Sequence, residues 1–286
     1  MFSLVDFLPD PFLITVLDIG AALGETPLYE PLVTAGRARL IGFEPDAREC
    51  EQLNRNYGAP HRFFPYFIGD GGPATFHETN WTLTGSLFAP NTPLLEKFHV
   101  LAEVMTPVAQ HPVSTTRLDD VPGIDDVDFI KIDVQGAELQ IFQNAPRLLE
   151  KCLLIQTEVE FVELYRDQPM FADVDSCLRR AGFQFHTFEG FGTRAFKPLM
   201  PGGNPNQGFR QILWADAVYA RDWMRLDRIS DAKLVKFAVL LHDLMHSWDL
   251  CRLVLAELDR RAPPGAPTSH AERYLERIVA ETKGDR

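Results

Sequence analysis

Lys131, Asp133 and Glu138 stand within the run Val-Asp-Phe-Ile-Lys-Ile-Asp-Val-Gln-Gly-Ala-Glu at residues 127–138. Lys131 and Asp133 are two apart on what reads as a buried strand, so they share a face. A carboxylate at the carboxyl end of such a strand lies where open α/β sheets bind small molecules. A lysine inside an apolar run needs a partner, because an unpaired buried charge is strongly unfavourable. Glu138 and Glu158 are the candidates, and two readings stand side by side: a structural ion pair, or Asp133 placed beside a reacting group. Glu158 and Glu160 also share a face, at the end of the next strand. Three carboxylates around one pocket can act as a base or hold a divalent cation through oxygen. No tight ligand spacing supports a metal, and none is assigned.

Two further strands end in acids. Val16-Leu17-Asp18-Ile19-Gly20-Ala21-Ala22-Leu23-Gly24 puts Asp18 before a glycine loop that lets backbone approach a ligand, and Glu44 follows the strand Arg39–Glu44. The loop departs from Gly-x-Gly-x-x-Gly, and alone it reads equally as a tight turn. An acid ending the second strand can take both ribose hydroxyls. Asp18, Gly20, Gly24 and Glu44 together point to a nucleoside ligand across the top of a sheet. Acidic surroundings disfavour a pyrophosphate and suit S-adenosylmethionine, whose sulfonium and amino groups are positive. Electrostatics therefore favours methyl transfer over a nicotinamide-dependent oxidoreductase.

The elements that must position these groups alternate. Strands are predicted at Leu13–Asp18, Arg39–Glu44, His61–Ile68, Phe129–Asp133 and Leu153–Phe161, then two closing strands at Phe183–Phe188 and Gln211–Tyr219. Helices are predicted from Gly20 toward Ala35, from Asp46 to Tyr57 with a capping box between Asp46 and Glu49, and over Thr92–Met105, Ala137–Leu149 and Phe171–Ala181. The order predicts an α/β fold with a parallel sheet. The stretch from Pro73 to Pro112 reads as an insertion or lid, and Tyr165–Pro169 as a loop that lines an acceptor pocket or simply caps a helix. From Asp231 to Arg261 the pattern is one long amphipathic helix, with a shorter helix capped by Ser269 after it. The expected division is therefore 1–222 for the sheet domain and 223–286 for a helical extension.

The net charge is −12, but residues 1–222 carry 17 Lys/Arg against 30 Asp/Glu while the remainder is nearly balanced. An acidic body argues against nucleic acid, where neutralising phosphate dominates binding. Four scattered cysteines give no metal or disulfide pattern, so a reducing, cytoplasmic compartment is expected. No signal peptide and no membrane-spanning run is read. His242 and His246, four apart on the long helix, lack partner ligands and read as surface or interface histidines rather than a zinc site.

The sequence Val-Leu-Asp-Ile-Gly-Ala, Gly-Phe-Glu-Pro-Asp, Ile-Gly-Asp-Gly-Gly, Gly-Ser-Leu, Arg-Leu-Asp-Asp, Phe-Ile-Lys-Ile-Asp-Val-Gln-Gly-Ala-Glu-Leu and Thr-Glu-Val-Glu-Phe, in that order, resembles the FkbM family of S-adenosylmethionine-dependent methyltransferases. The likeness runs from about residue 13 to 222 and is most specific at Lys131–Glu138. It implies a Rossmann-like seven-stranded sheet whose last strand is antiparallel. It also implies O-methylation of a hydroxyl on a sugar, glycan or polyketide-type acceptor. Asp18, Gly20 and Gly24 would flank the methionine moiety, Glu44 the ribose, Asp70 the adenine amino group, and Ser86 would approach the cofactor from the insertion. Ala22 stands where the family often has Asn. Asp133 would sit beside the transferring methyl group, contacting the cofactor and, with Glu158 and Lys131, making up the catalytic set.

Two other function classes fit the same sheet: an N-methyltransferase, and a cofactor-binding scaffold without turnover whose long C-terminal helix is the working part. The apolar positions of that helix reach around much of its circumference, so it needs cover on more than one side. A homodimer, a roof over the acceptor site and an intrachain clasp are the three ways to supply it.

Overall fold

In the computed structural model, which describes residues 2–8, 12–23, 26–263 and 269–284, the strands form two sheets. The strands are β1 (Ile14–Ile19), β2 (Ala38–Phe43), β3 (Arg62–Phe64), β4 (Phe67–Ile68), β5 (Pro73–Thr79), β6 (Pro107–Thr116), β7 (Phe129–Ile132), β8 (Leu154–Glu160), β9 (Phe183–Thr193) and β10 (Ile212–Arg221). The main sheet runs β3-β2-β1-β7-β8-β10-β9, and β4-β6-β5 make a small second sheet. β1, β2, β3, β7 and β8 are mutually parallel, while β10 is antiparallel to both of its neighbours. This is the expected α/β fold, with the last strand reversed and inserted between β8 and β9. Order reverses between β1 and β7, which makes the crevice above their ends the ligand-binding position of such a sheet.

Alternation along the strands gives the main sheet two unlike faces. One is mostly apolar: Leu17, Ile19, Ile130, Ile132, Ile155, Val159 and Ala217 pack under helices that include Phe171–Arg180, with Thr157 buried among them. The other changes character along its length. Ile14, Val16, Phe129, Leu154, Val218 and Ala220 are buried beneath the C-terminal helices. Beyond them, on the same face, come Asp18, Lys131, Asp133, Gln156, Glu158 and Asp216.

The C-terminal region is fastened to this face through a buried carboxylate. Asp128, fully buried, accepts from the Thr15 amide (2.8 Å), Lys233 Nζ (2.6 Å) and Lys236 Nζ (2.8 Å). The single helix expected over 231–261 is instead two. Asp231–Val239 passes through a π-turn at Leu240–Leu244, the chain reverses at His246 (φ 51°), and Trp248–Arg261 returns against the first segment. A rod apolar on all sides can face only one cover; folding it back lets its halves cover one another. The sheet, residues Leu4–Phe7 and the helix His270–Gly284 supply the other sides within this chain. His242 lies in that junction rather than on the surface, hydrogen-bonded to Tyr274 Oη and to the Phe2 carbonyl, each at 2.8 Å.

Several other boundaries differ from the sequence reading. Pro65 divides the predicted third strand, sending β3 and β4 to different sheets. Between β1 and β2, only Glu30–Thr34 is helical among the described residues, with Pro31 in its first turn. Val100, at φ 69°, divides the predicted helix over 92–105, and Pro146 divides that over 137–149. The insertion contains the β5–β6 hairpin, which alternation had not marked. Asp46 caps its helix by accepting from Arg48 and Glu49 amides, but its own amide donates to Glu44 rather than to a capping-box Glu49. Among the described residues, no helix is long and apolar enough to cross a membrane.

Asp128→Ala takes its buried carboxylate from Lys236 and leaves Lys233 with Asp126 and the Val127 carbonyl, each at 2.7 Å. It is expected to lower unfolding free energy by about 3–5 kcal/mol, the range for breaking a buried ion pair, as read from denaturant midpoints.

Candidate active site

The crossing of β1 and β7 comes first. Gly20 has φ 85°, and a Cβ there would lie 2.0 Å from the Asp133 carbonyl oxygen. Only glycine permits this approach, and the Asp133 amide donates to the Ile19 carbonyl at 3.0 Å to hold it. Asp18 and Asp133 are thereby brought to one crevice. Lys131 Nζ stands 3.6 Å from Asp18 Oδ1, so the ion-pair partner is Asp18 rather than the anticipated Glu138 or Glu158. The other Asp18 oxygen accepts from Tyr29 Oη; burial and that carboxylate push the Tyr29 pKa far upward.

Past Asp133 the chain turns through Gln135 (φ 58°) and Gly136 (φ 107°). The turn is braced by Glu138, whose buried carboxylate accepts from the Val134 and Gly136 amides at 2.8 and 2.9 Å. Ser86 Oγ donates to the Gln135 carbonyl at 2.6 Å, so its hydrogen is spent on the turn. Gln135 Nε2 then lies 2.7 Å from both Asp133 Oδ1 and Glu158 Oε2, one amide hydrogen for each carboxylate. Gln135 Oε1 is held 2.9 Å from Tyr165 Oη. Tyr165 is fully buried and so supports this amide from behind instead of lining a pocket.

Burial raises the pKa values of Glu158 and Glu160 well above the ordinary carboxylate value, and Asp133 and Glu138 add to it. Glu138 is raised as well, by burial against the backbone hydrogen bonds that favour its charge. Gln168 faces Glu160, yet Glu160 Oε1 has no hydrogen-bond partner of good geometry.

Beside Asp133 and Glu158 opens a cavity of about 420 Å³ over β7, β8, β10 and β9. Lys131, Gln156, Asp216, Trp214, Arg194 and Phe191 are among its lining residues. Lys131 also lines a narrow cleft with Asp18, Ala22 and Tyr29, and so stands between the β1 end and the cavity. Glu44, at the end of β2, has one oxygen on the Asp46 amide at 2.7 Å, and burial pushes its pKa up to about 7. Asp70 is exposed and accepts from the Gly72 amide and Thr115 Oγ1, which hold its pKa below the usual range. Gly24 lies outside the described residues. Among the described residues, no group of three or more His, Cys, Asp or Glu side chains has the arrangement to hold a metal ion.

The FkbM methyltransferase domain matches residues 18–185, more than half of the chain. The chain belongs to the FkbM methyltransferase family. It is an S-adenosylmethionine-dependent methyltransferase. It is 34% identical over 181 residues to the 2-O-methyltransferase NoeI of Sinorhizobium fredii (strain NBRC 101917 / NGR234), an alignment that covers 58% of this chain and 71% of that protein. Two solved structures align at low similarity. A putative S-adenosylmethionine-dependent methyltransferase from Listeria monocytogenes has 12% identity, covers 76% of this chain and 94% of that one, and gives a TM-score of 0.39. A putative methyltransferase from Thermoplasma acidophilum has 8% identity, covers 73% and 69%, and gives 0.38.

Gln135, Trp214, Arg194 and Asp216 were not singled out from sequence. Trp214 and Asp216 become visible once β10 is known to lie antiparallel beside β8, because Asp216 then pairs with Glu158 and Trp214 with Glu160. No local signal marks Gln135, whose reach depends on a left-handed backbone.

Glu160 offers a test of the cluster. Its folded pKa is raised above the ordinary 4.5, so its contribution to stability is full below that value and is lost as pH rises toward the folded pKa. Glu160→Gln is expected to raise Tm at about pH 8 and to leave it unchanged at about pH 4.

Proposed function

We propose that the protein methylates a hydroxyl of a glycan-type acceptor held in the cavity beside Asp133. The observation that carries this reading is the composition of that cavity. Carboxylates and amides from three adjacent strands (Asp133, Gln156, Glu158, Asp216) face the indole of Trp214 and the ring of Phe191. Hydroxyl-rich rings need many acceptors and a flat apolar surface for their C–H faces, and this cavity supplies both. The similarity to a 2-O-methyltransferase supports the same acceptor atom.

The crevice at the β1–β2 ends suits the cofactor. Asp18 Oδ1 is buried with Lys131 Nζ 3.6 Å away and no hydrogen bond, and Glu44 is desolvated with one backbone donor, the Asp46 amide. Both are acceptors short of donors, which an amino group and ribose hydroxyls provide. Asp18, Gly20, Ala22 and the segment through Gly24 would hold the methionine portion, Glu44 the ribose and Asp70 the adenine edge. Ser86 serves by holding the Gln135 turn. When bound, S-adenosylmethionine supplies a methyl group on a positively charged sulfur.

The remaining work belongs to this chain. The cavity walls orient the acceptor hydroxyl toward the crevice and exclude water from it. Glu158 and Asp133 are the carboxylates that would accept the proton of that hydroxyl, and burial makes Glu158 more basic once it is ionised. Gln135 keeps the two from being driven apart by repulsion. Lys131, paired with Asp18, stands between Asp18 and the Asp133–Glu158 pair. The surplus of carboxylates also suits an amine acceptor, and the linkage of the product distinguishes the two.

Incubation of the full chain with methyl-labelled S-adenosylmethionine and fractionated glycans is expected to place label in an alkali-stable ether. Label found only on amines, or S-adenosylhomocysteine failing to bind in calorimetry, would refute the reading. Asp133→Asn is expected to keep S-adenosylhomocysteine binding and lower turnover by about 10²–10⁴-fold. If Glu44 accepts ribose hydroxyls, the bound state favours its charged form. Affinity for S-adenosylhomocysteine should then fall as pH drops below about 7, by at most about tenfold per pH unit. Glu44→Gln should flatten that dependence.

A further inference from the structure

The loop that joins β9 to β10 has a composition unlike the rest of the body. Residues 190–210 contain Arg194, Lys197 and Arg210 and no acid, in a body that carries 17 cations against 30 acids. The loop also exposes Phe191 (54%), Phe196 (53%), Leu199 (61%) and Phe209 (65%) to solvent. It is not slack. Phe196 bridges to Phe98 with ring centroids 4.6 Å apart, and the Lys197 amide donates to the Lys97 carbonyl at 2.8 Å. At its other end the Gly208 amide donates to Thr193 Oγ1 at 3.1 Å. That contact brings Gly208, the residue before Phe209, against the Arg194 backbone, where a Cβ would lie 2.8 Å from the Arg194 nitrogen. An anchored loop with its apolar side chains turned outward is a surface shaped for an apolar ligand.

Arg194 links this surface to the cavity. Its guanidinium lies 5.0 Å from the Trp214 ring centroid, it lines the cavity wall, and Nη1 donates to the Thr193 carbonyl at 2.8 Å. Nε is buried without a partner, and among the described residues no carboxylate forms an ion pair with this side chain. Lys197 is tied to Glu103 at 3.6 Å on the surface, a pair of small worth that an anion can displace. An unpaired arginine between a glycan-like cavity and an apolar rim calls for an anion in that position, and a phosphate matches its fork of donors.

We propose that the acceptor is a glycan joined through a phosphate to an apolar chain. The glycan occupies the cavity, the phosphate meets Arg194, and the chain lies along Phe191 and Phe209 toward Phe196 and Leu199. This inference rests on the glycan reading above and narrows it. A flat anionic bilayer is the less favoured partner, because the acidic body next to the loop repels it.

Three probes below their micelle-forming concentrations test the assignment by calorimetry, on the full chain saturated with S-adenosylhomocysteine: decyl phosphate, decyl β-D-glucopyranoside and methyl β-D-glucopyranoside. The decyl glucoside is expected to bind at least about tenfold more tightly than the methyl glucoside, from burial of the chain. Arg194→Gln should weaken decyl phosphate by about tenfold and Arg194→Lys by less. The double variant Phe191→Ser/Phe209→Ser, at exposed positions, should remove the advantage of the decyl chain, with S-adenosylhomocysteine affinity unchanged. Decyl phosphate bound equally by wild type and all variants would overturn the inference. Equal binding of the two glucosides would overturn it while leaving the glycan reading in place. So would retention of phosphatidylglycerol vesicles through the two phenylalanines with no binding of either decyl probe, which would make the loop a membrane contact. Failure of S-adenosylhomocysteine to bind the wild type would remove the proposed function and this inference with it.

Discussion

One face of the main sheet has to be dry over half its length and wet over the other half, and most of the architecture follows from that division. Ile14, Val16, Phe129 and Leu154 demand an apolar cover, whereas Asp18, Lys131, Gln156 and Glu158, on the same face, need polar partners. The C-terminal helices cover only the first half. Asp128 marks the seam: a carboxylate on the apolar side is stable there because two lysines of the covering helix and the Thr15 amide satisfy it together. The chemistry is thus confined to the strand ends by the extent of the cover.

Within the wet half, acids outnumber cations, which no fold adopts for stability. Glu158 and Glu160 are buried among like charges and hold their protons more tightly for it. The arrangement persists because other parts oblige it. Gln135 donates to two carboxylates at once, Tyr165 and Ser86 fix Gln135, and Glu138 braces the turn that carries it. Strain and desolvation concentrated at one place, with the surroundings over-determining it, are what a site prepared for a ligand looks like before the ligand arrives.

The alternation of acids at strand ends was enough to read the α/β class, the reversed last strand through the family resemblance, and the convergence of Asp18 and Asp133. These depend on local periodicity and on a rule about crossovers. What was not legible depended on contacts between distant segments. Lys131 turned out to face Asp18, because β1 and β7 are neighbours although 113 residues separate Thr15 from Asp128 at their base. The helix over 231–261 was read as continuous because periodicity registers apolar faces, not the need to fold them against each other. The strands Pro73–Thr79 and Pro107–Thr116 escaped because they are largely exposed and contain proline. Gly24 remains an expectation from the motif alone.

The junction around His242 has a bearing on how the chain folds. The Phe2 carbonyl bonds to His242 and the Phe2 amide to Glu281 Oε2 at 3.1 Å, so the segment around Phe2 is held by residues 240 and 279 positions further along the chain. Until residues 231–281 dock, the apolar half of the sheet face and the segment Leu4–Phe7 both lack their cover. Contacts of such long sequence separation form slowly, since the loop must close before they reward it. A chain in which residues 231–281 have not docked therefore exposes that apolar face, as a sticky intermediate rather than a smaller enzyme.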